Sequence, residues 1–152
     1  MAKKYILLTN HMKSIYLKPD VNGIVREKFL RAEIEEVVRT SKLNKYVPGN
    51  ATTLKVNGGH PEEYANYFIS LMKKSSKLNA NFETTVRTYS STGNLVEVKR
   101  VGLFSINPLT CPGINPQKLF DPKVNVKEGI RLYEELILRE GNLPAISGVI
   151  LI

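Results

Sequence analysis

The chain has one cysteine, two histidines and no long apolar run. A lone cysteine forms no internal disulfide, which agrees with a reducing compartment. Cys111, His11 and His60 lie far apart, and neither C-x-x-C nor H-E-x-x-H spacing occurs. Metal ligation needs several such residues converging, so no metal site is expected. Wholly apolar stretches stay short, as in Val149 to Ile152, so no segment suits a bilayer span. The start, Met1 to Asn10, resembles a signal peptide but breaks at Thr9 and Asn10. The expected location is therefore cytoplasmic or intracellular, or a virion if the source is viral.

Motifs of catalysis are also missing. No serine sits in G-x-S-x-G. Cys111 is followed by Pro112 in a loop, away from any helix start that would favour its thiolate. Glu33, Glu35 and Glu36, and again Glu134 and Glu135, alternate with basic residues on expected helices, as solvated faces do. Gly58-Gly59 before His60-Pro61-Glu62-Glu63 is the one turn placed to hold a phosphate. It lacks both nucleotide-binding glycine patterns, and two carboxylates stand where the phosphate would sit. A tight strand-to-helix turn explains it better. The chain is expected not to be an enzyme, with no catalytic residue and no cofactor.

What is present is a globular composition over 152 residues, with 42% hydrophobic and 24% charged side chains. That length forms one domain with a real core. The net charge is +8. Residues 1–50 carry ten basic and five acidic side chains, 51–100 seven and four, and 101–152 five and five. Fifteen of the 22 cations are lysine, which suits general electrostatics better than forked recognition of bases.

Short strands are expected at Lys4 to Leu8, Ser14 to Leu17 and Thr52 to Asn57. Pro19 to Gly23 signals a turn. Gly23 to Thr40 has helical composition but two apolar stripes: Leu30, Ile34, Val37 and Val38 on one, Val25, Phe29 and Ala32 nearly opposite. Burial on both sides, a break or a partial strand would each account for this. His60 to Lys77 reads as a helix with Pro61 first, early carboxylates and late lysines. Asn81 to Ser90 and Leu95 to Ile106 form a hairpin around a turn containing Gly93. Asn125 with Glu128 reads as a capping pair that starts a helix ending at Gly141. A last strand is expected over Ala145 to Ile152.

The pattern predicts one α+β domain over residues 1–152, with a mixed, mostly antiparallel sheet and about three helices. Residues 107–123 form a long proline-rich loop or arm that repeats Ile-Asn-Pro at 106–108 and 114–116. Its apolar residues Leu109, Ile114, Leu119 and Phe120, with Val25 and Phe29 on the two-striped helix, are the expected partner-binding residues. The expectation is a non-enzymatic assembly subunit that contacts protein subunits of its own or a neighbouring type, in a virion such as a phage capsid, neck or tail. The alternative is a nucleic-acid-binding protein using Lys3, Lys4, Lys73, Lys74, Lys77, Arg87, Lys99 and Arg100 for phosphate contacts.

Overall fold

In the computed structural model, residues 17–48, 50–54 and 59–146 are described. Among the described residues, three helices carry the fold: α1 (Glu27–Arg39), α2 (Pro61–Ser75) and α3 (Pro122–Glu140). Two antiparallel pairs accompany them: β1 (Tyr46–Val47) with β2 (Asn50–Leu54), and β3 (Glu83–Tyr89) with β4 (Leu95–Val101). The fold is α+β, as the pattern predicts. The strands expected at Lys4 to Leu8 and Ser14 to Leu17 lie outside the described residues, Leu17 excepted. So do residues 55–57 of the third and 147–152 of the last.

The two stripes of the first helix have a simple origin. Helix α1 starts at Glu27, so Val25 precedes it in an extended segment whose N–H donates to Leu78 O at 3.0 Å. Leu30, Ile34 and Val38 form the buried stripe, and Ala32 is buried beside it. The helix packs against both α2 and α3, so it hides more than one face.

Helix α2 follows its composition. Pro61 takes the first turn, Glu62 and Glu63 follow, and Lys73 and Lys74 close the last turn. Its buried residues include Tyr64, Phe68 and Met72. The phosphate-turn candidate resolves as packing: a Cβ on Gly59 would strike Asn44 in the preceding 3₁₀ turn, including its carbonyl oxygen at 2.5 Å. Glycine is there for close backbone approach.

Phe68 stands at the centre of the core. Phe104 meets it edge-on at 5.5 Å and Tyr133 at 5.8 Å, with Tyr67 at 5.3 Å. Burial pushes the Tyr67 phenol up to about 12 from its ordinary 10.0. Burial, helped by the Glu63 charge, does the same to Tyr64. Tyr67 also donates to Pro144 O at 2.7 Å. A raised folded value means the unfolded chain releases these protons first. Stability should therefore be intact below pH 10 and decline between pH 10 and 12. Urea unfolding at stepped pH, with phenolate absorbance at each step, checks it; a stability that does not fall between pH 10 and 12 would contradict it.

The start of α3 differs from expectation. Asp121, not Asn125, is its N-cap: the carboxylate accepts from Lys123 N at 2.9 Å and Val124 N at 3.4 Å. Asn125 sits one turn inside the helix, fully buried. Its Oδ1 accepts from Phe104 N at 2.8 Å. Its Nδ2 donates to Leu119 O at 2.8 Å and Val101 O at 3.1 Å. One side chain thus joins the base of the hairpin, the proline-rich stretch and α3. A single sequence offers no way to separate this from a cap, because an asparagine near a helix start satisfies both.

Candidate docking surface

The doubled Ile-Asn-Pro is a repeated local device. Asn107 Oδ1 accepts from Leu109 N at 3.0 Å, and Asn115 Oδ1 accepts from Gln117 N at 3.1 Å. Each asparagine caps a 3₁₀ turn, Pro108–Thr110 and Pro116–Phe120, with proline at its start. Asp121-Pro122 repeats the device at α3. Three acceptor-proline pairs in succession give a firm backbone without long elements.

The proline-rich stretch is a strap on its own chain. Cys111 and Leu119 are buried in the core, while Ile114 and Phe120 pack partly buried against it. Val25 is buried and Phe29 half-buried in the same way. Leu119 and Val25 are therefore core residues, and their side chains do not reach the surface. Leu109 is the exception, 82% exposed.

Leu109 borders a groove of about 480 Å³ lined by Thr85, Val98, Lys99, Asn107, Pro108 and Pro116 as well. In the β3–β4 register Thr85 faces Lys99, Arg87 faces Glu97 and Tyr89 faces Leu95. Opposed residues share a side of the sheet, as do residues two apart. One face therefore runs from the groove to Tyr89, 73% exposed, and Leu95, 55% exposed. Along it Arg87 pairs with Glu97 at 3.4 Å and Lys99 with Glu83 at 2.9 Å. These exposed bridges add little stability, but they leave the face locally neutral.

The expected nucleic-acid residues do not gather into one free surface. Lys3 and Lys4 lie outside the described residues. Arg87 and Lys99 are paired on the hairpin, and Lys73 pairs with Glu27 at 2.8 Å. Arg100 is buried on the other face of β4, where desolvation lowers its pKa against the opposing influence of Tyr133. Lys74 and Lys77 stay exposed at the end of α2.

Cys111 sits near Arg131, whose Nη2 is 3.9 Å from Sγ, and near Thr110 Oγ1 at the same distance. The His60 ring is engaged elsewhere, with Nδ1 2.8 Å from Glu63 Oε1. His11 lies outside the described residues. A buried thiol beside a cation is here part of the packing between strap and α3. Among the described residues, no three His, Cys, Asp or Glu side chains are grouped to hold a metal, and no helix is long and apolar enough to cross a membrane.

No family model and no curated protein matches the chain. Solved structures of Bd0314 DslA share its fold. The wild-type form 2 aligns with a TM-score of 0.59 and 18% identity, covering 76% of this chain and 69% of that one. Two single Glu-to-Gln mutants of DslA also align with a TM-score of 0.59, each at 19% identity. One covers 76% of this chain and 69% of that chain, the other 83% and 76%. Identity this low establishes a common fold alone.

Proposed function

We propose that the chain is a non-catalytic assembly subunit of a larger complex, in keeping with a virion component, and that it docks a second copy of itself on the hairpin face beside Leu109. The observation that carries this is Leu109: a large aliphatic side chain, 82% exposed, on a turn capped by Asn107 and begun by Pro108. Fully burying such a side chain contributes about 1.5–3 kcal/mol. A preformed turn loses little conformational freedom on docking, so most of that contribution is retained. Tyr89 and Leu95 extend the apolar contact along the same face. The pairing of Arg87 with Glu97 and Lys99 with Glu83 supports a like partner, because two copies meet there without local repulsion despite a net charge of +8.

The test is the molar mass of the full chain by light scattering and sedimentation across concentration. Wild type should self-associate. Leu109→Asp should weaken association by about 2 kcal/mol, roughly 30-fold. Its thermal unfolding should stay within about 0.5 kcal/mol of wild type, as for exposed positions generally. A monomer at every concentration, or association indifferent to Leu109→Asp, would sink the reading.

A further inference from the structure

A second surface lies where the approach to α1 meets the exit from α2. An antiparallel bridge joins Ile24 to Asn79, and the backbone bonds Val25 N to Leu78 O (3.0 Å) and Ala80 N to Gly23 O (2.7 Å) extend it. Arg26 and Lys77 flank this bridge, both exposed. The backbone there is costly, because Lys77 and Leu78 both hold positive φ, 56° and 60°, without being glycine.

More cations converge on the same corner. Lys73 reaches across to Glu27 at 2.8 Å, which fixes the end of α2 to the start of α1. Arg26 and Lys28 lie over the Phe29 ring, at 5.4 and 5.8 Å from its centre. Lys74 follows Lys73 on the exposed side of α2. Among the described residues, Lys73 pairs with Glu27, while Arg26, Lys28, Lys74 and Lys77 are exposed on the same two joined segments. The other nearby acid, Asp20, is turned into its own loop, accepting from Asn22 N and Ile24 N at 2.8 and 2.9 Å.

We infer that this corner binds the phosphodiester backbone of a nucleic acid. The chemistry separates this from a protein partner. Protein interfaces centre on buried apolar anchors with charge at the rim. Here the order is reversed: the charge is central, Phe29 and Leu78 are half-buried, and Val21 is the exposed large apolar residue nearby. Lysines acting as point charges suit a repeating polyanion contacted without regard to sequence. Two of the stems, on Arg26 and Lys28, are already ordered against an aromatic ring. This surface is separate from the Leu109 face, and neither reading depends on the other.

The experiment is fluorescence anisotropy of the full chain with labelled single-stranded and duplex DNA of about 20 nucleotides, titrated from roughly 50 to 200 mM salt. Wild type should bind both, with affinity for duplex falling at a log–log slope of about −4. Lys74→Glu combined with Lys77→Glu should lower affinity at least about tenfold and flatten the slope by about 2. Lys118→Glu with Lys127→Glu, an equal charge change at exposed positions elsewhere, should cost less than about threefold. Circular dichroism confirms that each variant is folded. Three results would overturn the inference: no binding at the lowest salt, equal losses in both double variants, or competition by polyglutamate as effective as DNA of equal charge. The last would mark an acidic protein surface as the partner.

Discussion

Asn125→Asp should lower the stability of the chain by about 4 kcal/mol, a large share of the roughly 5–15 kcal/mol that holds a domain folded. The exchange preserves shape and changes only what the second terminal atom offers. In the native chain Nδ2 donates to Leu119 O and Val101 O, and the residue is fully buried. A carboxylate places an oxygen against two carbonyl oxygens and leaves both without that donor. Each buried group left unsatisfied costs about 1–3 kcal/mol, and the unpaired charge adds to it. Urea denaturation followed by circular dichroism gives the number. A loss below about 1 kcal/mol would mean that water or a rearranged backbone serves these carbonyls instead.

Gly129→Ala sets two principles against each other. Alanine in a helix interior is favoured over glycine by about 1 kcal/mol, so propensity predicts a gain. Packing predicts the reverse. A Cβ at 129 would strike the Phe104 ring, with Cγ at 2.5 Å and Cε2 at 2.7 Å. That ring has no room to retreat, because Phe68 stands edge-on to it and Tyr133 lies tilted at 5.6 Å. Overpacking of this kind costs about 1–3 kcal/mol, and here the clash is with the body of a ring in the middle of the core. The net expectation is a loss of about 2 kcal/mol, read as a lower melting temperature. A rise in melting temperature would show that the Phe104 ring yields and that propensity wins.

These two positions also mark where sequence and structure part. Elements defined by their own neighbours were legible: Pro61 and the lysines bound α2, Gly93 turns the hairpin, and Gly141, at φ 81°, ends α3. Elements defined by distant partners were not. The two stripes of α1 made sense only once α2 and α3 were both beside it. Asn125 carried a capping signal, yet the true cap was Asp121, four residues earlier and already paired with proline. The doubled Ile-Asn-Pro was visible as a repeat, but its meaning came from the two hydrogen bonds to Leu109 N and Gln117 N.

Among the candidate site residues the same divide holds. Leu109 and Leu119 are alike in sequence and ten positions apart, yet one is exposed and the other wholly buried. A count of lysines and arginines finds a basic chain but does not show which cations face a carboxylate. Arg87, Lys99 and Lys73 do; Arg26 and Lys28, which composition did not single out, lie over an aromatic ring.

The three-way bonding of Asn125 has a consequence for motion. The strap, the hairpin base and the first turns of α3 exchange hydrogen bonds through one buried amide, so they open together or not at all. A segment rich in proline and free of long elements would ordinarily be taken for a hinged flap. Here swinging it aside would require breaking the core around Phe104 and uncoiling the helix start. Leu109 is accordingly a fixed stud, presented at one place and angle to whatever meets it.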